Sequence, residues 1–546
     1  MKRAWWKEVV VYQVYWRSFF DSNGDGFGDL IGVIEKLDYI QSLGVDAIWL
    51  NPCYESPDKD NGYDISDFTT IMNKAGTMDD WEKLLSEVHR RGMKLIMDLV
   101  VNHTSNLHPW FVESRSSRDN PKRDWYIWRG DDPHEPPNNW RSYFSPSTWE
   151  WDERTGQYYF HSFAAEQPDL NWENPELRNE IYRMMRFWLD KGIDGFRLDA
   201  IALLAKPASY PNADNPEDIR YLTNNPGVHE YLQEMNERVF RHYDVMTVGE
   251  VAFVDPEEGL KYVSEDRNEL QSLFHFEIAD EMPSWDMLRY KCIQRKWHNA
   301  FYGKGWNSHF LNNHDHTRQV SRYGNDREYR LQSAKLLATL IHTLPGTPYI
   351  YQGEEIGMTG VRFDRIEDYH DIAMKNRYEE LAGKGNDPER VLDMLRPLSR
   401  DNSRTPMQWD DSPNAGFTSG VPWIRVNPNF KEINVEQSRN DPDSIYAYYQ
   451  KLIALRKANP VMVYGDYEDL LPDDVHVYAY IRKWEQTCWL IVLNQSDEFH
   501  ELVLPAHLIA EQRILGNYSE SELETNDQGL PRRLRPFEAL VYHISS

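Results

Sequence analysis

The chain has 546 residues, of which 40% are hydrophobic, with 29 Gly and 30 Pro, and this is ordinary globular composition with room for two or three domains. Asp and Glu number 88 against 60 Lys and Arg, so the formal net charge is −28 and the isoelectric point is near 5.1. An acidic surface repels phosphate backbones and anionic membranes, which argues against nucleic acid and membranes as partners.

The N-terminal segment and the cysteines favour a cytoplasmic location. The basic start MKRAWW leads into an apolar run that Glu8 and Gln13 interrupt, so a secretory signal is not expected. No stretch approaches the roughly 18 apolar residues of a membrane-spanning helix. Cys53, Cys292 and Cys488 lie far apart, which fits a reducing compartment better than a disulfide framework. We expect no organic cofactor, and the sequence leaves open whether the protein is a monomer or a homo-oligomer.

The segment DSNGDGFGD, residues 21–29, follows the first strand-like run and has the oxygen-rich spacing of a calcium loop. Its candidate ligands are four side chains and one backbone carbonyl, from Asp21, Asn23, Asp25, Asp29 and Phe27. A complete EF-hand loop also carries Glu at its twelfth position, where this chain has Gly32. We therefore predict a structural Ca²⁺ site, or a Mg²⁺ site, on the first strand-to-helix connection. The alternative is an Asx turn without a metal.

Eight short apolar runs alternate with amphipathic stretches along most of the chain. They begin near residues 9, 45, 94, 192, 245, 273, 309 and 347. Two of the intervening stretches, residues 78–92 and 176–192, have helical periodicity and end at Gly, as helices often do. Alternation of strand and helix favours parallel strands, so we predict an α/β fold with a closed (β/α)8 barrel of the TIM type and a site at the carboxyl ends of its strands.

Two segments depart from this alternation. Residues 104–175, after the third strand, combine many aromatic side chains with prolines and show no long helical period, which favours an inserted, loop-rich binding subdomain. A small satellite core is the alternative. Residues 471–546 contain short β-type runs separated by turn residues and predict a C-terminal antiparallel β-sandwich. The barrel domain would then comprise residues 1–103 and 176–470.

Four of the predicted strands end in polar segments: DLVVNH (98–103), GFRLDA (195–200), TVGE (247–250) and NNHD (312–315). Because the carboxyl ends of barrel strands meet at one face, we expect six of their side chains to converge, namely His103, Arg197, Asp199, Glu250, His314 and Asp315. Three carboxylates with an arginine and two histidines suit acid/base and nucleophilic chemistry on a neutral, polyhydroxylated substrate.

Asp199 and Glu250 differ in their sequence surroundings. Arg197 and Asp199 are two residues apart on a strand, so their side chains emerge on one face, and a nearby guanidinium favours the ionised carboxylate. Glu250 has no neighbouring cation in the sequence and is free to have a raised pKa. In a retaining glycosidase one carboxylate attacks and another protonates the leaving oxygen. Taken alone, an Arg-x-Asp pair on a strand is more often a structural ion pair.

Together these segments resemble the four signature regions of the α-amylase superfamily, the large α-retaining glycoside hydrolase family. QPDLNW (167–172) resembles a fifth region. SRDNSRTPMQWD (399–410) and NPNFKEINV (427–435) resemble the α-glucosidase and oligo-1,6-glucosidase branch of that family. The resemblance runs from the N-terminus to the C-terminal domain, with the segments in the expected order.

The resemblance implies a role for each matching residue. Asp199 would form a β-glucosyl-enzyme intermediate, Glu250 would be the acid/base, and Asp315 would hold ring hydroxyls as the oxocarbenium ion develops. Hydrogen bonds around that ring would come from Arg197, His103 and His314. This branch also commonly binds a cation at the position of the predicted calcium loop.

The terminal glucose would occupy a closed pocket. The resemblance implies that Asp60 binds this glucose, that Tyr63 stacks against it, and that Arg404 pairs with Asp60 to close the pocket. Further pocket positions are matched by Phe144, Phe163 and Gln167, although core packing is the alternative for each aromatic side chain. Such a pocket accepts one sugar unit and a leaving group, so cleavage would proceed from the non-reducing end.

The linkage depends on few residues. In the family, Val after the nucleophile favours α-1,6 cleavage, whereas smaller or hydroxylated residues accompany α-1,4 cleavage. Ala200 occupies that position, and Ala252 adds no polar selector for the leaving group. We therefore expect a retaining exo-α-glucosidase acting on maltose and malto-oligosaccharides. The alternatives are an oligo-1,6-glucosidase, a trehalose-6-phosphate hydrolase, a transglycosylase, or a non-catalytic sugar-binding subunit, which the presence of all three carboxylates disfavours.

Overall fold

A computed structural model describes residues 2–144, 146–518 and 524–545, so the two outermost predicted domain boundaries, residues 1 and 546, lie outside the described residues. Its largest sheet has eight parallel strands, β1 to β8 in chain order: Val11–Val14, Ala47–Leu50, Lys94–Val100, Gly195–Asp199, Met246–Val251, Ser272–His275, Ser308–His309 and Thr347–Tyr351. Neighbouring strands follow the order β6-β5-β4-β3-β2-β1-β8-β7, and a bridge between Leu273 and Asn307 joins the two ends. The sheet therefore closes into the predicted (β/α)8 barrel.

Amphipathic helices connect the strands. The two predicted from periodicity are Met78–Arg90, which begins with a capping box between Thr77 and Asp80, and Pro175–Lys191, which ends at the left-handed Gly192. The other longer helices are Leu37–Leu43, Val228–Arg238, Pro256–Val263, Met287–Phe301, Arg330–Thr343, Ile372–Gly383, Pro388–Leu395 and Ile445–Ala458. Shorter helices are Trp5–Glu8, Leu30–Glu35, Pro109–Ser114, Glu277–Glu281, Gln319–Arg322, Asp401–Arg404, Val435–Asn440 and Pro460–Tyr464.

The segment after β3 has a small sheet and core of its own. Strands Trp128–Arg129, Trp149–Asp152 and Gln157–Phe160 form an antiparallel sheet with the last of them in the middle. Most of its aromatic side chains are buried, several in a cluster that includes Ala200 and Leu203 of the barrel. Other aromatic side chains of the segment, among them Trp125, Tyr126 and Trp128, pack in the main core instead, so a satellite core accounts for only some of them. The boundaries 104 and 175 stay a prediction.

The C-terminal part is antiparallel. Five strands, Asp466–Asp469, Val477–Trp484, Thr487–Asn494, Ile509–Gly516 and Ala539–Ser545, form one sheet, and His500–Glu501 pairs with Arg533–Leu534 in a second. Apolar side chains from both sheets share a buried cluster, as expected for the predicted sandwich. Over the described residues, no helix combines the length and apolar character needed to cross a membrane. All three cysteines are free thiols.

Candidate active site

The four strand-end segments meet at the carboxyl ends of the barrel strands, as predicted. Register explains how: β3 and β4 pair with Asp98 opposite Arg197 and Val100 opposite Asp199. Strand β4 ends at Asp199, and Ala200 then takes a left-handed conformation with φ 45° at the start of a short turn of helix. That reversal leaves the Asp199 carboxylate at the rim of the barrel.

Arg197 is the electrostatic centre of the site. Its Nη1 lies 2.6 Å from Asp98 Oδ1 and 2.5 Å from Asp199 Oδ1, and its Nη2 lies 2.8 Å from Glu250 Oε2. The Arg197 side chain is 1% exposed, so its guanidinium forms ion pairs with three carboxylates away from bulk water. Glu250 has no cation beside it in the sequence, but strand pairing places Arg197 beside it in space. The expected rise in the pKa of Glu250 nevertheless occurs.

Asp98 is a site residue that the sequence reasoning missed. It is fully buried and also accepts a hydrogen bond of 2.7 Å from Trp49 Nε1. It is the first residue of the DLVVNH segment, and the available signal was its position on a strand neighbouring Arg197. Its contact with Nη1 helps to fix the guanidinium that also holds the cavity-lining Asp199 and Glu250.

The two proposed catalytic carboxylates are both buried beside Arg197 but have different pKa values. Burial raises the pKa of Glu250 to about 7, against the opposing effect of Arg197. Burial likewise raises the pKa of Asp199 to about 6, again against Arg197. The backbone N–H of Ala200 donates to Glu250 Oε2 at 2.9 Å. Near neutral pH the Asp199 carboxylate is thus the more ionised of the two, which is the order that a nucleophile and a general acid need.

Asp315 is held as an anion. Burial alone raises the pKa of a carboxyl group, but the neighbouring His314 and Arg404 hold that of Asp315 well below its usual range. Arg404 Nη2 lies 2.7 Å from Asp315 Oδ1, and His314 Nε2 lies 3.0 Å from Oδ2. Gln13 Nε2 donates to His314 Nδ1 at 2.8 Å, which assigns the imidazole proton to Nε2. Burial lowers the pKa of His314 to about 4, so the ring is neutral at pH 7.

The predicted pair between Arg404 and Asp60 is wrong. Arg400 takes that place, with its Nη1 3.2 Å from Asp60 Oδ1 and its Nε 2.8 Å from Asp371 Oδ1. Arg404 is fully buried, and its Nε donates to the His314 carbonyl at 2.8 Å while its Nη2 binds Asp315. The segment SRDNSR contains both arginines one helical turn apart, and its sequence does not say which one faces Asp60.

The other predicted pocket residues come together. The Tyr63 ring stacks on His314, with ring centroids 5.3 Å apart, and its hydroxyl lies 2.7 Å from Nε2. Gln167 Nε2 lies 3.2 Å from Asp60 Oδ2 and 3.2 Å from His103 Nε2. Two aromatic rings complete this wall: Phe144 lies 4.7 Å from the Arg400 guanidinium, and Phe163 lies 5.0 Å from the His103 ring.

These residues border a cavity of about 240 Å³. Its acidic lining residues are Asp60, Asp199, Glu250, Asp280 and Asp315, and Arg400 is the one lysine or arginine among the described residues that line it. Ala200, Ala252, Phe253 and Phe276 also line it. A cavity with this excess of carboxylates and several aromatic walls suits a neutral polyhydroxylated ligand better than an anion.

The predicted calcium loop is closed by its own hydrogen bonds. Asp21 accepts from the backbone N–H groups of Asn23, Gly24 and Gly26, and Asp29 accepts from those of Ser22 and Gly32. Two further bonds run from Asp25 N to Asn23 Oδ1 and from Phe27 N to Asp25 Oδ1.

The oxygen donor set of this loop has the chemistry that a hard cation prefers. Within the described residues, however, no three His, Cys, Asp or Glu side chains are placed to share one metal ion. The cation site therefore stays a prediction.

Comparisons with known proteins match nearly the whole chain. The sequence profile of the family described as "Alpha amylase, catalytic domain" matches residues 13–465. An oligo-1,6-glucosidase from Parageobacillus thermoglucosidasius is 52% identical, with 100% of each chain covered. A trehalose-6-phosphate hydrolase from Bacillus subtilis (strain 168) is 46% identical over 99% of this chain and 98% of that protein. An isomaltulose synthase from Erwinia rhapontici NX5, solved in complex with D-glucose, is 44% identical with a TM-score of 0.97, covering 100% of both chains.

Proposed function

The chain belongs to the α-amylase catalytic-domain family of glycoside hydrolases, in its oligoglucosidase branch, and from this membership and the geometry of the site we propose that it is a retaining, exo-acting oligo-1,6-glucosidase. It would release glucose from the non-reducing end of short α-1,6-linked glucosides such as isomaltose. The observation that carries the proposal is the guanidinium of Arg197, which holds Asp199 and Glu250 on adjacent nitrogens. Two carboxylates so close together favour double displacement over the wider spacing of an inverting site.

In the first step, an Asp199 oxygen attacks C1 of the terminal glucose while Glu250 donates its proton to the glycosidic oxygen. The C1–O bond breaks, the leaving sugar departs with that proton, and an Asp199 glucosyl ester remains. In the second step, the Glu250 carboxylate takes a proton from water, whose oxygen attacks C1 and releases Asp199. Asp315, kept anionic by Arg404, binds ring hydroxyls and stabilises the positive charge that develops at C1.

The exo specificity rests on the closed end of the cavity. Asp60 and Arg400 form a buried ion pair there, and Gln167 donates to the second oxygen of the same carboxylate. These polar groups would bind the hydroxyls of a terminal glucose and would block a sugar chain from continuing past it. Cleavage would therefore begin at the non-reducing end.

The expectation of α-1,4 specificity is not supported, and the α-1,6 alternative fits the named relative better. That expectation was based on Ala200, the small residue that follows the proposed nucleophile. That side chain is 5% exposed and packs in the aromatic cluster of the inserted segment, so its methyl group presents little surface to a bound sugar. A small residue removes a steric barrier to one linkage, but it adds no contact that favours it.

A trehalose-6-phosphate hydrolase remains the second candidate, because a protein of that name is similar over nearly the whole chain. A phosphate substrate needs cationic side chains beside its leaving group. Asp280 is instead an exposed carboxylate on the cavity wall, and the lining arginine, Arg400, is already paired with Asp60 and Asp371. The charge of the cavity therefore favours a neutral disaccharide.

A substrate panel tests the proposal. Isomaltose, maltose, sucrose, trehalose and trehalose 6-phosphate are compared at equal concentration by the initial rate of glucose release. We expect isomaltose to give the highest kcat/KM and trehalose 6-phosphate to give a rate at least a hundredfold lower. Asp199→Asn serves as the control and should abolish turnover of every substrate, whereas faster hydrolysis of maltose or of the phosphate ester would refute the proposed specificity.

A further inference from the structure

A closed cycle of four hydrogen-bonded side chains lies beside the cavity. Gln13 Nε2 donates to Asn51 Oδ1 at 2.9 Å, and Asn51 Nδ2 donates to the Tyr63 hydroxyl at 2.9 Å. The cycle closes through His314, whose Nε2 lies 2.7 Å from that hydroxyl and whose Nδ1 lies 2.8 Å from Gln13 Nε2. All four side chains are buried, and only Tyr63 among them borders the cavity. Gln13 lies on β1, outside the four strand-end segments.

Two arrangements of protons are self-consistent for this cycle. His314 Nε2 lies 3.0 Å from Asp315 Oδ2, and a bare nitrogen there would repel the carboxylate, so Nε2 carries a proton in both arrangements. In the first arrangement, Gln13 donates to Asn51 and to Nδ1 of a neutral imidazole. In the second, both amide groups are turned over, Gln13 accepts from Nδ1, and His314 is a charged imidazolium ion.

The surroundings of His314 favour the neutral arrangement. Its side chain is fully buried and stacks against the rings of Tyr15 and Tyr63, with centroids 6.2 and 5.3 Å away. The Trp49 ring meets it edge-on at 5.9 Å. Burial lowers the pKa of His314 to about 4, against the opposing effect of Asp315. Near neutral pH the imidazole is therefore uncharged, and Gln13 is the donor to its Nδ1.

The charge of His314 matters for Asp315. The Asp315 carboxylate already pairs with Arg404 at 2.7 Å. An imidazolium ion 3.0 Å away would be a second cation beside this carboxylate, and it would oppose the positive charge that develops on a glucose ring. A proton added to Nδ1 would also face an N–H of Gln13, which would leave two donors 2.8 Å apart.

We propose that Gln13 is a positioning residue that keeps His314 uncharged, with its one proton on Nε2, so that Asp315 keeps its full negative charge for the transition state. Gln13 does not border the cavity, so it acts through His314 and not on the sugar. The inference rests on the proposed function, because it requires that positive charge develops on a glucose held by Asp315.

Two substitutions of Gln13 test this role through the charge of His314. Gln13→Glu replaces the amide donor with an acceptor, so His314 should gain a proton on Nδ1 and become a cation between the new carboxylate and the cavity. Gln13→Met removes the donor and adds no charge. Inhibition constants are measured at pH 6 with α-glucosyl fluoride as the substrate. The inhibitors are glucose, which is neutral, and 1-deoxynojirimycin, a glucose analogue whose ring nitrogen is protonated.

We expect Gln13→Glu to weaken 1-deoxynojirimycin about tenfold more than it weakens glucose, and to lower kcat/KM for the fluoride about thirtyfold. Gln13→Met should weaken both inhibitors by the same factor, because it leaves His314 neutral. Equal factors in Gln13→Glu, which a purely structural role would give, would overturn the proposal. Tighter binding of 1-deoxynojirimycin relative to glucose would also overturn it, because the substitution would then have added only a negative charge.

Two controls address unspecific charge and folding. Gln352 is another buried glutamine of the barrel, and its side chain bonds to backbone groups of Tyr15 and Ser18. Gln352→Glu adds a buried carboxylate without the contact to His314, so a selective loss of 1-deoxynojirimycin in this variant would contradict the proposal. A neutron structure of the deuterated wild-type enzyme needs no variant. It should show deuterium on Nε2 of His314 and none on Nδ1, and deuterium on both nitrogens would overturn the proposal.

The proposed function can fail separately from this inference. Isomaltose takes no part in these measurements, so a wild-type preference for another disaccharide refutes the proposed specificity and leaves the role of Gln13 unchanged. A wild-type enzyme that does not hydrolyse the fluoride refutes the proposed function as a whole, and the neutron structure still decides the charge of His314.

Discussion

At the residue scale, the proposed chemistry depends on Arg197, whose guanidinium contacts three carboxylates at once. Arg197 contacts Asp98, Asp199 and Glu250 within 2.8 Å, so removal of any one carboxylate changes the environment of the others. Burial pushes both catalytic pKa values upward, and Arg197 opposes that shift at both groups. Asp199 and Glu250 thus titrate near neutral pH, where Glu250 can keep its proton while Asp199 is ionised.

The pH profile follows from these pKa values. The pKa of Asp199 is raised to about 6 and that of Glu250 to about 7. The proposed nucleophile, Asp199, must be ionised, so kcat/KM for isomaltose should fall as pH drops through about 6. The proposed acid, Glu250, must be protonated, so kcat/KM should also fall as pH rises through about 7. We expect a narrow bell with its maximum between these values.

A substrate with a better leaving group provides the control for this profile. With 2,4-dinitrophenyl α-glucoside, whose leaving group needs no proton, the fall at high pH should shrink while the fall at low pH remains. A kcat/KM for isomaltose that stays flat from pH 5 to 9 would contradict the assignment.

The sequence was a good guide to the residues at strand ends and a poor guide to their partners. Asp199 and Glu250 could be placed because a parallel barrel brings the carboxyl ends of its strands together. The contact of Arg197 with Glu250 could not, because it depends on strand register. The sequence also could not show that Arg400, and not Arg404, pairs with Asp60. That choice depends on the direction of the short helix Asp401–Arg404, which the sequence motif does not reveal.

At the scale of elements, the turn after β8 carries two buried glutamates. Glu354 accepts a hydrogen bond of 2.6 Å from the Tyr449 hydroxyl, and Glu355 accepts from Tyr12 and Tyr39. Burial raises the pKa of Glu354 to about 8. Glu354 thus links the barrel to the helix Ile445–Ala458, so we expect the protonation state of its carboxyl group to affect the stability of the barrel.

Replacing Glu354 should change the pH dependence of stability. The folded protein keeps this carboxyl protonated up to about pH 8, whereas the unfolded chain releases the proton near its ordinary pKa. The contribution of Glu354 to the free energy of unfolding therefore falls as pH rises between those values, by as much as about 4 kcal/mol from pH 5 to 8. Denaturant titrations should show that Glu354→Gln loses less stability than wild type over that range.

The exposed Glu367 supplies a control for the Glu354 experiment. The variant Glu367→Gln should have a free energy of unfolding that runs parallel to that of wild type from pH 5 to 8. A Glu354→Gln variant that also runs parallel to wild type would show that Glu354 is ionised in the folded state.

The loop at residues 21–29 gives a second prediction for a single element. Its carboxylate, amide and carbonyl oxygens are suitable ligands for Ca²⁺, so we expect the melting temperature to be a few degrees higher in calcium than in EGTA. Asp25 is exposed and has one oxygen bonded to Phe27 N, and Asp25→Asn should reduce the difference. Identical melting temperatures in calcium and EGTA would favour the Asx-turn alternative.

At the scale of the whole molecule, buried cations join the barrel to the C-terminal sheet. Arg482 on the strand Val477–Trp484 is 1% exposed and donates to the carbonyl of Thr343, at the end of a barrel helix. The same guanidinium donates to the carbonyls of Met462 and Gly465 at 3.2 and 2.9 Å. The barrel helix that ends at Thr343, the segment around Met462 and the C-terminal strand thus share one side chain.

Loss of that side chain should weaken the whole fold. Arg482→Met removes the guanidinium donor from the carbonyls of Thr343 and Gly465, whereas Met462 keeps a donor in Arg456. We expect the variant to lower the free energy of unfolding by roughly 2–4 kcal/mol within a single cooperative transition. Lys483→Met, which changes the exposed neighbour on the same strand, is the matched control and should have little effect. Two separate transitions in scanning calorimetry would show that the barrel and the C-terminal sheet unfold independently.

The barrel architecture was predictable because strand-like runs and helical periodicity alternate over most of the chain. Eight apolar runs with helices between them suffice for a barrel, even though β7 has only two residues, Ser308–His309. The proposed preference for α-1,6 linkages was not predictable from the sequence, because the cavity is lined by residues of the inserted segment and of the loop after β5 together. No single motif describes that cavity.

The central claim is a covalent intermediate on Asp199, and mass spectrometry of the trapped enzyme tests it most directly. The protein is incubated with 5-fluoro-α-glucosyl fluoride, whose fluorine slows hydrolysis of the intermediate, and is then digested and mapped. The account predicts a single added fluoroglucosyl unit on the peptide that contains Asp199. Absence of the adduct while the reagent is consumed, or an adduct on Glu250 or Asp315, would contradict it.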